Sequence, residues 1–94
     1  MFKIELRENG EIILAGRFDA AQVESARPVF DKITGTCSVD FTSLDYISSG
    51  GLSVLLATQK RLGEAGHQLR LKHMNRHIRE IFKYAGFHTI FEIE

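Results

Sequence analysis

The sequence predicts a single α/β domain over residues 1–94, a mixed β-sheet of four to five strands with helices packed on one face. Three observations predict it. Short apolar–polar alternations and helical periodicities follow one another in the order β-β-α-β-α-β-α-β. After an opening hairpin this order demands parallel crossovers, which are right-handed almost without exception. The strands also alternate instead of running continuously apolar, so one sheet face is covered and the other wetter. Ninety-four residues hold one domain of ordinary size, and nothing in the composition marks a linker, a repeat or a second unit.

Phe2, Ile4 and Leu6 alternate with Lys3, Glu5 and Arg7, the period-2 pattern of a half-buried strand. Asn9-Gly10 predicts a two-residue type I′ turn, because both residues tolerate positive φ. Ile12 to Ala15 form the return strand, more apolar and so more central. Asp19 is an N-cap for the next helix, with Gln22 three residues on and Phe18 and Val23 at hydrophobic-staple positions. Val23, Ala26, Phe30 and Ile33 mark its inner face. Pro28 removes the bond to the Glu24 carbonyl, which predicts a kink near Glu24–Arg27 or a split into two pieces.

Cys37, Val39 and Phe41 give a third strand, and Thr42–Tyr46 reads as a polar connection to Ile47. A second helix starts at Ser48-Ser49-Gly50-Gly51. It buries Leu52, Leu55, Leu56 and Leu62, keeps Lys60, Arg61 and Glu64 outside, and stops at Gly66. Leu69 and Leu71 alternate in a fourth strand. Asn75 caps a third helix carrying Ile78, Ile81, Phe82 and Ala85 inward and ending at Gly86. Ile90, Phe91 and Ile93 allow a short last strand.

Composition narrows the function classes. Twelve basic residues balance twelve acidic ones, which argues against a nucleic-acid-binding protein. No run approaches the ~20 apolar residues of a membrane span. The first residues alternate and carry an acid, unlike a signal peptide. The single cysteine, Cys37, makes neither an internal disulfide nor a cysteine zinc site. A reduced, cytoplasmic location is the expectation.

The chemistry concentrates at Ser48-Ser49-Gly50-Gly51-Leu52, two hydroxyls where a loop becomes a helix. Taken alone, the pentapeptide reads as an ordinary cap and turn. The longer run from Val39 to Leu56, VDFTSLDYISSGGLSVLL, resembles the STAS domain family, in particular the bacterial anti-sigma factor antagonists. The likeness extends to Gly16-Arg17-Phe18-Asp19, to Leu69-Arg70-Leu71 and to Phe82-Lys83-Tyr84-Ala85-Gly86-Phe87, and so covers nearly the whole chain.

The resemblance implies a protein-level switch. The unmodified form binds an anti-sigma factor that is also a serine kinase of the GHKL type. Phosphorylation of a serine at the helix start releases it, and a serine phosphatase reverses the mark. By position the acceptor is Ser49. The residue before it, an Asp in many members, is Ser48 here, which offers a second candidate hydroxyl. The partner-binding residues implied are Asp19, Ser48, Ser49, Gly50, Gly51 and Leu52. No cofactor and no metal are expected.

Other readings carry less. His67, His73, His77 and His88 all lie in the last third, and Ser-Ser-Gly-Gly-Leu is not the nucleophile elbow of a hydrolase, so catalysis is not expected. His73 and His77 straddle a strand end and a helix cap, poor spacing for a metal. A basic excess between Lys60 and Lys83 falls on outer faces and reads as solvated. The alternative from another class is a stand-alone ligand or nucleotide sensor of the same fold, its phosphate at the Gly50-Gly51 helix start.

Overall fold

The computed structural model describes residues 1–94. Its first strand, β1 (Phe2–Leu6), pairs antiparallel with β2 (Ile12–Phe18), Leu6 opposite Ile12. The hairpin loop is longer than the expected two-residue turn. The Gly10 N–H donates to the Arg7 carbonyl, the Arg7 N–H donates to the Glu11 carbonyl, and only Gly10 has positive φ, +86°. This is a three-residue loop, a turn followed by one left-handed glycine. The Asn9 side chain accepts the Glu11 N–H instead of adopting the left-handed conformation itself.

A 3-10 turn (Ala20–Gln22) leads into α1 (Val23–Asp31). The expected capping by Asp19 and Gln22 is present: Asp19 Oδ1 accepts the Ala21 N–H at 3.1 Å, and Gln22 Oε1 accepts the Asp19 N–H at 3.2 Å. Pro28 sits inside α1 without splitting it; the change of helix type falls earlier, at Gln22–Val23. The exposed proline ring lies on the outer face of a short helix whose C-terminal carbonyls find another donor. That donor is Arg61, whose guanidinium reaches the carbonyls of Ile33 at 2.7 Å and Phe30 at 2.9 Å.

The largest departure from expectation is β3, which runs unbroken from Cys37 to Ile47, so Thr42–Tyr46 is strand and not connection. Its pairing with β2 slips twice: the three residues from Ile13 to Ala15 face the four from Asp40 to Ser43, and the two of Gly16–Arg17 face the three of Leu44–Tyr46. Each slip inserts one extra residue, a β-bulge, so the inward side chains step by three from Phe41 to Leu44 to Ile47. Asp40 fixes the first bulge, accepting from the Thr42 N–H at 2.8 Å and its hydroxyl at 2.6 Å.

The remaining elements are α2 (Ser49–Glu64), β4 (Leu69–Lys72), α3 (Arg76–Tyr84), a 3-10 turn (Phe87–Thr89) and β5 (Glu92–Ile93). Gly66 ends α2 at φ +83°, with the His67 N–H returning to the Leu62 carbonyl, as its position after the helix predicts. Asn75 caps α3, accepting the Ile78 N–H at 2.8 Å. Strands lie in the order β1-β2-β3-β4-β5, parallel from β2 onward. Right-handed crossovers that step one way along a sheet place all their helices on one face.

That face carries the core: Ile12, Leu14 and Phe18 from β2, Val39, Phe41 and Leu44 from β3, Leu69 and Leu71 from β4. Opposite them, charged side chains cross-link the wetter face. Arg70 pairs with Glu92 at 2.9 Å, and Lys72 reaches Glu11. The bond to Glu11 raises the Lys72 pKa above its ordinary value. Burial pushes Asp40 up, but the two Thr42 bonds, with His73 and Lys72 nearby, outweigh it and hold the carboxyl below its ordinary value.

The two shifts act at opposite ends of the pH range. The Lys72 contribution is complete below its unfolded pKa and is lost as pH rises through the folded one; the Asp40 contribution is complete above its unfolded pKa and is lost as pH falls through the folded one. Urea midpoints are therefore expected to fall at alkaline pH in the parent but not in Lys72→Met. They should fall less steeply below about pH 4 in Asp40→Asn. Parallel pH profiles for parent and variants would contradict both assignments.

Candidate functional site

The end of β3 and the start of α2 meet the end of β2 at one corner of the sheet, outside the C-terminal ends of the parallel strands. Open α/β sheets bind their ligands at such ends. The Ser48 N–H donates to the Phe18 carbonyl at 2.9 Å, tying the serine segment to the residue before Asp19. Chain segments some thirty residues apart are thus stitched side by side.

Within this corner the two serines have different environments. Ser48 is the N-cap: its backbone is extended, its side chain is partly buried, and its Oγ accepts the Gly51 N–H at 3.3 Å. Ser49 is the first helical residue and is exposed. Its carbonyl accepts the Ser53 hydroxyl at 2.9 Å, while its own hydroxyl bonds to no protein group. The first N–H groups of a helix have no intrahelical partner. Ser48 satisfies that of Gly51, which leaves those of Ser49 and Gly50 at the positive end of a sixteen-residue helix.

The glycine pair has a steric reason. A Cβ on Gly51 would stand 2.8 Å from Ile47 Cγ1, 3.0 Å from the Phe18 carbonyl oxygen and 3.1 Å from the Phe18 ring. A Cβ on Gly50 would press on Val23 Cγ2 at 3.1 Å, a side chain able to give, and meet Ala20 Cα and Ser48 Oγ at an ordinary 3.5 Å. Gly51 therefore lets α2 begin directly against the end of β2. Gly51→Ala is expected to lose about 1–3 kcal/mol by overpacking, and Gly50→Ala distinctly less. Chemical denaturation of the two variants checks this, and equal stabilities would remove the steric account.

Of the six residues the sequence places in a binding region, all come together at this corner. Asp19 spends its carboxylate on the cap of the 3-10 turn. Gly51 is buried and Leu52 is 9% exposed, facing the core. Ser49 is the exposed member of the motif, flanked by the partly exposed Asp19, Ser48 and Gly50.

Two neighbours were not singled out by the sequence reading. Arg17 and Tyr46 are register partners across β2 and β3, and the Arg17 guanidinium lies 4.2 Å from the centre of the Tyr46 ring. With Asp19 and Asp45 nearby in the chain, they give the corner a mixed charge. The signal for them is the pairing itself, hidden by the bulges that shift the register. No His, Cys, Asp and Glu side chains gather as a metal site, and neither serine hydroxyl hydrogen-bonds a histidine.

The chain matches known proteins over almost its full length. The family model described as "Mlab, STAS domain" matches residues 4–92. A curated relative from Bordetella bronchiseptica, the candidate anti-sigma factor antagonist BtrV, is 34% identical over 82 residues, covering 87% of this chain and 70% of that protein. Among solved structures, a candidate anti-sigma factor antagonist from Thermotoga maritima superposes with a TM-score of 0.81 at 17% identity, covering 99% of this chain and 85% of the other. The phosphorylated form of the Bacillus cell fate determinant SpoIIAA gives a TM-score of 0.70 at 19% identity, with 100% and 91% covered. At such identities the structural likeness establishes the fold.

Proposed function

The chain belongs to the STAS domain family and has the fold of the anti-sigma factor antagonists, and from that premise we propose that it is a phosphorylation-controlled binding module. In this reading the unmodified chain binds an anti-sigma factor that is also a serine kinase of the GHKL type. Transfer of phosphate to Ser49 releases the partner, and a serine phosphatase resets the switch. The chain acts as substrate and ligand, not as catalyst, and needs no cofactor of its own.

The observation that carries the proposal is the division of labour between the serines. Ser48 spends its oxygen on the cap, whereas Ser49 displays a hydroxyl without a protein partner at the mouth of α2. A kinase has to reach its acceptor, and loss of the cap bond would cost about 1 kcal/mol. Modification of Ser49 leaves that bond in place. Phosphoserine carries about −1.5 to −2 charges, and at the first turn it gains roughly 0.3–2 kcal/mol from the helix dipole and free N–H groups. The fold thus accommodates the mark at the position where a docked partner would have to bury it.

Incubating the chain with ATP and a GHKL-type serine kinase that binds it, followed by peptide mass spectrometry, tests the assignment. Phosphate is expected on Ser49, retained in Ser48→Ala and lost in Ser49→Ala. Phosphate on Ser48 alone, or none in the presence of a kinase that binds the chain, would overturn it.

A further inference from the structure

We infer a second docking surface, on the outer face of α3, for an acidic amphipathic segment of a protein partner. The helix holds to the body through Ile78 and Phe82, both fully buried, with the half-buried Ile81 at the edge of the packed face, and turns the remainder of its surface outward. Arg76, Arg79 and Lys83 follow at i, i+3 and i+7 and form one stripe. His77, Ile81 and Tyr84 follow at i, i+4 and i+7 and form the next. Tyr84 is 93% exposed, and with Ile81 and Ala85 it lines a shallow depression that also takes in His77 and Glu80.

The charge on this face is available because the other cations nearby are already used. Arg61 holds the end of α1, Arg70 pairs with Glu92, and Lys72 pairs with Glu11. Arg76 and Lys83 have no ion-pair partner, and Arg79 donates only to the Glu94 carbonyl at 3.1 Å. In a chain of zero net charge, this is a local positive stripe with Glu80 as its single acid. Tyr84 sits with Glu80 and Lys83 beside it, an exposed aromatic ringed by charge, and aromatic residues are enriched at protein interfaces.

Charge and shape choose among the occupants. A duplex nucleic-acid surface commonly makes ~6–10 phosphate contacts, and three cations fall well short. An interfacial membrane helix inserts its apolar face, but the apolar face of α3 is committed to the core. An acidic helix that carries its apolar residues in the stripe next to its carboxylates fits both stripes at once, carboxylates on Arg76 and Lys83, leucines on Ile81 and Tyr84. The surface stands independently of the serine switch.

The test is an amide-shift titration of the whole chain with a synthetic amphipathic helix bearing glutamates and leucines in neighbouring stripes. Shifts are expected on His77–Ala85. Affinity should drop at least about tenfold in Arg76→Glu/Lys83→Glu and in Tyr84→Ala, whose side chains are exposed and leave the core intact. It should also fall as salt rises from about 0.1 M to about 1 M, where the Debye length shrinks from ~10 to ~3 Å. Ser49→Asp should titrate like the parent. Absence of shifts on α3, equal binding of a glutamate peptide lacking leucines, or stronger perturbation by duplex DNA or by phosphatidylglycerol vesicles would each overturn the inference.

Discussion

Phosphoserine at position 49 is expected to weaken binding of the anti-sigma partner by about 100–1000-fold while leaving the melting temperature nearly unchanged. The two halves of this result come from two environments of one group. In the free chain the dianion sits in water at the positive end of α2, next to the unbonded amides of Ser49 and Gly50. In the complex it would have to give up its hydration against a surface selected for a neutral hydroxyl. Burying an unpaired charge costs several kcal/mol, and ~3–4 kcal/mol corresponds to two to three decades at about 1.4 kcal/mol each. Ser49→Asp carries roughly half that charge and should weaken binding at least about tenfold, whereas Ser49→Ala should bind like the parent. Calorimetry with the purified partner reads all three. Equal affinities for the Asp and Ala variants would falsify the switch, and a large loss of thermal stability on phosphorylation would mean that the fold, not the interface, senses the charge.

The selectivity for Ser49 that the proposal requires depends on how close the surrounding backbone can come. Gly51 brings the first turn of α2 onto Phe18 and Ile47, and the bond from the Ser48 N–H to the Phe18 carbonyl locks the approach. With Ser48 fixed in the cap, Ser49 stands exposed at the very start of α2, while Leu52, one turn further along, is buried against the core. The position of the hydroxyl is therefore decided by a residue with no side chain two places further on. A bulky residue at 51 would move the serine without touching it.

Much of this was legible in the sequence because the signals are local. Asp19, Ser48 and Asn75 cap helices by bonds to residues two or three positions on, and Gly66 and Gly86 terminate helices through their own φ, +83° and +75°. Strand alternation gave the covered face correctly wherever pairing is regular. What the sequence hid is non-local. The two bulges in β3 break the period of two, so Phe41, Leu44 and Ile47 step by three and the segment between them reads as a loop. Arg61 looks like a solvated outer residue of α2 until the packing of α1 shows which carbonyls it serves. Arg17 and Tyr46 meet only through a register that the bulges set. Asn9-Gly10 belongs to a turn, but the length of that turn depends on how β1 and β2 align.

Phe82→Ala should produce the largest loss of stability in the chain, about 3–5 kcal/mol, the range for emptying a fully buried aromatic site. At ~4–8 °C per kcal/mol for a domain of this size, the midpoint should fall by about 12–40 °C. Phe82 is the hub of an aromatic cluster: its ring centre lies 6.1 Å from that of Phe41, 6.3 Å from Phe87 and 5.7 Å from Phe91, each pair edge to face. Through Phe41 it fixes α3 to β3, and through Phe87 and Phe91 it holds the 3-10 turn and β5, a strand of only two residues. Truncation should therefore unseat the last fifth of the chain first. The serine corner is held by different contacts, those of Phe18, Ile47 and Gly51. At temperatures where Phe82→Ala remains folded, amide exchange should quicken in α3 and β5 while that of Ser48–Leu55 stays slow, and the anti-sigma partner should still bind. Uniform quickening across both regions, or loss of partner binding in the folded variant, would show that the two halves of the sheet do not act as separable units.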